Sequence, residues 1–257
     1  MESLKEERLG EVRLNKYGTH MKIIEYNNTD DILVRFGYGD VLRTKYVYFQ
    51  KRNIHSRYDK TVYGVGFLGE GKYLEPASKN SNPIYQSWTG MLKRCYDPKF
   101  HEKRPAYKDC IVCEEWHNYQ NFAEWYTNNF YTVEGDTMQL DKDILFKDNK
   151  VYSPDACIFV PSRINSLFIK QGTRRGELPI GVMLNNRATI NKYVVSSRFA
   201  SDPSRRSSKG YATVEEAFSA YKKAKEQYIK EVALEYKERI PLDLYLAMAL
   251  YEVDIND

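Results

Sequence analysis

The spacing of apolar positions changes several times along this chain. Over residues 11–49 they fall in short β-branched and aromatic runs: Met21, Ile23 and Ile24, then Ile32, Val34 and Phe36, then Val41, Tyr46, Val47 and Phe49. Asn27-Asn28-Thr29-Asp30 and Gly37-Tyr38-Gly39-Asp40 separate these runs with the residue types that hairpin turns require. The pattern predicts a small antiparallel sheet or barrel over residues 1–60, behind a charged amino-terminal stretch. Residues 61–83 are rich in Gly, Pro, Asn and Ser and are expected to be a linker. The string Gly64-x-Gly66-x-x-Gly69 within them lacks the strand-then-helix context of a dinucleotide-binding loop.

Helical spacing follows. Tyr85, Trp88, Met91, Leu92 and Cys95 recur at three and four, predicting a helix over 84–96, and Phe122, Trp125 and Tyr126 predict a second over 119–129. Residues 107–116 between them suit a short buried strand and turn. The stretch 140–168 reads as strand, turn, strand and helix, with Asp148-Asn149-Lys150 as turn chemistry. Beyond it, 178–182, 188–190 and 193–199 are expected to be three short strands, with a hairpin turn at Asn185-Asn186 and a basic loop over 201–210. Thr213 with Glu216 forms a capping box for a helix whose stripe is Ala217, Ala220, Tyr221, Ala224, Tyr228 and Val232. After Pro241 a short apolar helix spans 242–251. The fold class is therefore α+β: a small β domain (1–60), a linker (61–83), a helical domain ending in a β-β-α unit (84–170), and a three-stranded sheet packed on a helix (171–257).

Composition sharpens this picture in two places. A formal charge of +4 over 257 residues does not by itself imply a nucleic-acid partner. Its distribution does: residues 171–210 hold eight basic side chains (Arg174, Arg175, Arg187, Lys192, Arg198, Arg205, Arg206, Lys209) against two acidic ones, a local net of +6. The four cysteines, Cys95, Cys110, Cys113 and Cys157, contain one Cys-x-x-Cys pair and no second, which disfavours structural zinc and suits reduced thiols. With no apolar run of about 18 residues and no signal-peptide pattern, no membrane partner and a cytoplasmic location are expected.

The candidate chemistry lies in the β-β-α unit. Asp141 and Asp143 flank Lys142 at the end of an apolar step, and Asn165 falls on the helix that follows. Two carboxylates in one small site suit a hard divalent cation, Mg²⁺ or Mn²⁺, whose shell water and phosphate would complete. Leu140-Asp141-Lys142-Asp143 and Tyr152-Ser153-Pro154-Asp155-Ala156-Cys157 resemble the HNH nuclease fold, in the branch of phage and bacterial genes that carries LDRID and NYSPENC. The same branch has W-x-x-M-x-x-R-C, C-x-x-W and F-x-x-W, matched by Trp88, Met91, Arg94, Cys95, Cys113, Trp116, Phe122 and Trp125. These aromatics are expected to be core.

The resemblance implies a metal-dependent phosphodiesterase acting on double-stranded DNA, with the ion on Asp141 and Asn165. Two motif positions depart from the family: Lys142 stands where the water-activating His belongs, and Ala156 where the middle Asn belongs. A general base works best with a pKa near the working pH, and free lysine titrates near about 10.4. Lys142 therefore suits a fixed positive charge, leaving Asp143, His117 or bulk solvent to activate water. The other reading is a catalytically inactive HNH-like protein that serves as a DNA-binding regulator or as an inhibitor of a host defence protein. Residues 179–225, notably Gly181-Val182 and the run from Gly210 to Ala224, resemble the DNA-binding domain of plant ethylene-response factors. Related domains follow the nuclease unit in phage homing-type endonucleases, which would act in the host cytoplasm. On this resemblance the eight basic residues would contact DNA.

Overall fold

The computed structural model describes residues 2–73, 82–169, 178–195 and 210–255. It divides the chain into two compact units: Met1–Asn129 with Lys150–Asp155, and Phe130–Asn149 with Ala156–Asp257. The architecture is α+β, and no helix among the described residues is long and apolar enough to cross a membrane.

The first unit opens with α1 (Glu2–Arg8) and a four-stranded antiparallel meander, β1 (Val12–Leu14), β2 (His20–Asn28), β3 (Asp31–Phe36) and β4 (Val41–Thr44), in sequence order. Both expected hairpin turns are present. Alternation sends Met21, Ile23, Tyr26, Ile32, Val34 and Phe36 to one face, where Tyr46 and Phe49 of α2 (Tyr46–Gln50) and Ile54 complete a core. A register shift between Ile23 and Glu25 lets the strand keep both Ile23 and Tyr26 on that inner face. At one end of the sheet the buried Asp59 carboxylate accepts hydrogen bonds from Asn15 Nδ2 (2.6 Å), Thr19 Oγ1 and the Ser56 N–H (2.7 Å). Asp40 accepts from Ser56 Oγ (2.8 Å) and the Arg57 N–H (3.0 Å). Two turns and the 54–60 loop are thereby fastened together.

Residues 62–73, expected as part of a linker, are instead fastened into this unit. Val62 bridges Gly66 and Phe67 bridges Asn118. A Cβ on Gly66 would collide with Trp88 and Leu92, so only glycine permits that close approach. The Gln120 amide donates to the carbonyls of Leu68 (3.2 Å) and Tyr73 (2.9 Å) and accepts from the Tyr73 N–H (3.0 Å). The rest of the connector, 74–81, lies outside the described residues.

Helix α3 (Pro83–Tyr96) starts where Asn82 Oδ1 accepts from the N–H groups of Ile84 and Tyr85, with Pro83 at the first position. It buries Tyr85, Trp88, Met91, Leu92 and Cys95, the predicted face. Asp97 caps the short α4 (Pro98–Lys103), and α5 (Tyr119–Asn129) has the predicted limits. Trp88 Nε1 donates to the Trp116 carbonyl (2.7 Å), and the Trp116 ring lies against Phe122 and Trp125; Trp88, Trp116 and Phe122 are core, with Trp125 half-buried beside them. Strand β5 (Ile111–Val112) pairs in parallel with β7 (Val151–Tyr152), and Arg94 Nε donates to Tyr152 Oη (2.9 Å).

The second unit contains the β-β-α unit, formed by β6 (Met138–Asp141), β8 (Ile158–Pro161) and α6 (Ser162–Leu167). Its two strands are antiparallel, with Asp141 opposite Ile158. The first and second strands of the sequence reading are thus joined by the whole 142–157 segment, because residues 151–152 pair with β5 rather than with β6. Helix α7 (Val214–Tyr236) extends beyond the predicted stripe, and α8 (Leu242–Ala249) packs on it. One core joins Val160, Ile164 and Leu167 to Ile229, Val232, Ala233, Tyr236, Leu244 and Met248. The expected boundary at 170 does not separate compact units, since α6 and the second half of α7 share this core.

The three-stranded antiparallel sheet is present, in the order β11-β10-β9; the strand expected from Tyr193 is found, and the other two differ from those expected. The strands are β9 (Val182–Leu184), β10 (Tyr193–Val195) and β11 (Gly210–Tyr211). Residues 188–190 belong to the hairpin loop that the Asn185 N–H closes onto the Lys192 carbonyl (2.7 Å). The third strand lies after the basic stretch, at Gly210, whose hydrogen faces the Asn191 carbonyl so closely that no side chain would fit. Ile180, Val182, Ala217, Phe218 and Tyr221 form the core between sheet and helix, and Gly181, at φ +80°, lets the Tyr221 ring lie directly against the backbone.

Asp59→Ala would leave three buried or half-buried donors without their acceptor. It is expected to lower stability by on the order of 3 kcal/mol, measured by urea unfolding; a loss under about 1 kcal/mol would show that water replaces the carboxylate at no cost.

Candidate functional site

The sequence motif concentrates at the carboxyl end of β6. Asp141 ends the strand, and its Oδ1 accepts from the N–H groups of Asp143 (2.9 Å) and Ile144 (2.8 Å), capping the turn that follows. This is the ordinary local behaviour of an aspartate at a turn. Burial, with the Asp143 carboxyl beside it as a second cause, pushes the Asp141 pKa up to about 6.

Lys142 is only 6% exposed. Its Nζ donates to Asp143 Oδ2 (2.9 Å) and to the Asn149 carbonyl (2.8 Å), while Asn149 Nδ2 donates back to the Lys142 carbonyl (2.6 Å). The reciprocal pair closes the 142–149 loop, aided by Asp148, which takes a left-handed conformation at φ +63°. A buried ammonium must be paired and hydrogen-bonded to be tolerated, and this one is. Lys142 is therefore built into the loop as a cation.

Asn165 is placed on α6 as the motif requires, but its Nδ2 donates to Gln139 Oε1 (2.6 Å). Gln139 and Asp141 are two residues apart on β6 and so share a face. The helix amide thus reaches the correct face of the strand, one pleat away from Asp141. Gln139 was not singled out from the sequence; its place two residues before Asp141 on a strand was the available signal.

His117 lies in the first unit, whereas Asp141, Lys142, Asp143 and Asn165 lie in the second. Its Nε2 is 3.4 Å from Tyr96 Oη, and its ring meets the Tyr96 ring edge-on. Burial lowers its pKa below the ordinary imidazole range. A role for it as the substitute base draws no support from these contacts, which fasten it beside α3.

Each of the three candidate ligands is engaged through one of its two polar atoms. One Asp141 oxygen caps two N–H groups, one Asp143 oxygen holds the Lys142 ammonium, and Asn165 Nδ2 donates to Gln139. Among the described residues no group of three or more His, Cys, Asp or Glu side chains is arranged to hold a metal ion. Cys113 of the Cys-x-x-Cys pair has its thiol pKa raised by burial, which disfavours the thiolate that zinc requires.

Of the eight basic residues expected to contact DNA, Arg187 and Lys192 are described, both exposed, in the β9–β10 hairpin loop. Arg174, Arg175, Arg198, Arg205, Arg206 and Lys209 lie outside the described residues. The outward row of the sheet is Met183, Val194 and Gly210, with Met183 half exposed. The described cations stand at the hairpin end rather than along the strands, because each strand has only two or three residues.

Compared with family models, with curated proteins and with solved structures, the chain finds no match. The likeness to HNH nucleases rests on the quoted residues and on the strand-strand-helix geometry alone.

The raised pKa of Asp141 sets a pH dependence. The folded state holds this proton more tightly than the unfolded chain, so the associated stability is fully present below the unfolded pKa and is lost as pH rises through about 6. The loss amounts to on the order of 2–3 kcal/mol. Asp141→Asn keeps an acceptor for the two N–H groups and removes the titration. The variant is expected to lack the parent's fall in stability between about pH 4 and about pH 6, and to equal or exceed the parent's stability at about pH 7.5. Urea unfolding of both proteins across this range checks it; parallel pH profiles would assign the titration to another group.

Proposed function

We propose that this chain is a double-stranded-DNA-binding protein built on an HNH-like framework, holding duplex DNA through the β9–β11 sheet and not cleaving it. The observation that carries the reading is the sheet itself: one face is packed on α7, the other is uncovered at Met183, and the hairpin at its end presents Arg187 and Lys192. The net charge of +6 over residues 171–210 supports an anionic partner. Cations of this kind contact phosphates, release counterions and set register, whereas a sheet face can approach the groove.

The reading without cleavage is supported by the place of Lys142. A buried ammonium held by a carboxylate and a carbonyl cannot accept a proton, and it engages the charge that Asp143 would lend to a cation. Of the two readings the motif allows, regulation by binding therefore accords better with the loop's geometry than phosphodiester hydrolysis does. A role in the host cytoplasm, as a phage product, belongs to the resemblance and to this proposal together.

Two assays on the full chain test the reading. Arg187→Glu with Lys192→Glu is expected to weaken duplex binding by about tenfold or more and to reduce the slope of log K against log salt by about 2. Unchanged affinity and slope would remove this sheet from the interface. Incubation with supercoiled DNA and Mg²⁺ or Mn²⁺ is expected to give a gel shift without nicking, and Asp141→Ala is expected to bind as the parent does. Metal-dependent nicking that disappears in Asp141→Ala would instead establish an endonuclease.

A further inference from the structure

Helix α8 is apolar on two opposite sides. Leu244 and Met248, one turn apart, are fully buried in the core that α6 and α7 share. Leu242 and Leu246 stand two residues before them and Leu250 two residues after, and two residues turn a helical side chain by about 200°. The Leu250 N–H still donates to the Leu246 carbonyl (3.0 Å), so the helical turn carries through it. The three leucines therefore form a row opposite the core, and they are 66%, 43% and 76% exposed. Single exposed leucines are ordinary, but three at a spacing of four make a strip, and a helix apolar all round belongs in an interior.

The chain holds little to cover this strip. Its internal segments outside the described residues, 74–81, 170–177 and 196–209, contain Leu74 and Phe199 as their only large apolar side chains. The row is instead its own complement. It reads the same from either end, so a second α8 laid against it in the opposite direction sets Leu246 on Leu246 and Leu242 on Leu250, as an isologous contact requires. Asp243, exposed in the first turn beside the row, decides the direction. Parallel pairing sets two Asp243 carboxylates against each other, whereas antiparallel pairing sets each of them opposite Ala249, whose small side chain permits close approach.

The area agrees with a weak contact between copies. At these exposures the three leucines present about 300 Å² of apolar surface, the size of patch that is often functional on a monomer. Two copies remove about 600 Å², and at the apolar share of about 65% found in homodimer interfaces the whole contact is about 900 Å². That size suits a reversible, concentration-dependent association and falls short of a permanent dimer.

We propose that the outer face of α8 joins two copies of this chain in an antiparallel, two-fold pair, with Leu246 at the axis. The pairing does not depend on the duplex-binding reading, and either can fail without the other.

The test is analytical ultracentrifugation of the full chain across about 5–500 μM, where a monomer–dimer equilibrium with a midpoint on the order of 100 μM is expected. Leu246→Glu sets two carboxylates together at the axis and is expected to weaken association by about tenfold or more. An equal mixture of Leu246→Glu and Leu246→Lys is expected to restore it. Leu242→Glu combined with Leu250→Lys in one chain is expected to associate, since the antiparallel pair joins opposite charges, whereas Leu242→Glu combined with Leu250→Glu is expected to stay monomeric. Ile190→Glu, at a residue 77% exposed in the β9–β10 hairpin loop, is expected to leave association unchanged. A parent that stays monomeric throughout overturns the proposal and leaves the strip to a different protein. It is overturned equally by a dimer that Leu246→Glu, folded by circular dichroism, leaves intact, by an Ile190→Glu effect of the same size, or by failure of the mixture to restore association.

Discussion

Burial along one side of α7 is the constraint on which the second unit depends. Its first half carries Ala217, Phe218 and Tyr221 into the core beneath β9–β11, and its second half carries Ile229, Val232, Ala233 and Tyr236 into the core of the β-β-α unit and α8. Lys225 falls between the two, 2% exposed, with its ammonium 5.8 Å from the Tyr221 ring centroid. A 23-residue helix serving two cores makes them one mechanical body, because neither can repack without moving the surface that the other uses. Glycine at 181 is part of the same constraint: a Cβ there would displace the Tyr221 ring and open the gap between sheet and helix.

The same economy explains the loop after β6. A strand that ends in Asp141 needs its carboxylate to cap the turn, and a loop that must return to β8 needs a closure. Lys142 provides the closure by reaching the Asn149 carbonyl, and its charge is balanced by Asp143. Breaking one partner of such a buried set is costly because the other charge remains. A covalently attached ammonium brings positive charge to the acidic turn formed by Asp141 and Asp143. Lys142 thus fills the acidic turn with a cation of its own.

Local chemistry made much of this legible from the sequence. The Asn- and Gly-rich turns of the first sheet, the Asn82-Pro83 start of α3, the limits of α5, and the Thr213 cap, whose Oγ1 accepts from the Glu216 N–H, are all decided within a few residues. What was hidden depends on distant partners. β7 is two residues long and is a strand only because β5, some forty positions earlier, pairs with it. β11 is visible only once Gly210 is known to lie against Asn191. Residues 62–73 look like a connector because their order comes from the side chains of Gln120 and Trp88, not from their own periodicity. For the candidate site, the sequence located Asp141, Lys142, Asp143 and Asn165 on one strand-strand-helix element, but could not show that Lys142 is buried or that Gln139 engages Asn165.

Charge illustrates the difference between counting residues and placing them. In the first sheet Arg43 and Lys45 would rank with Arg35 in any count of basic residues, yet their charge is engaged by Glu25, Asp31 and Asp30. Lys22 attracts no notice in the sequence, because it sits between Met21 and Ile23 as one polar position of an alternating strand. Only the register, which sets it across from Arg35, turns two ordinary surface residues into a repulsive pair. An exposed repulsion of this kind is weakened by solvent and salt, so it costs the fold little.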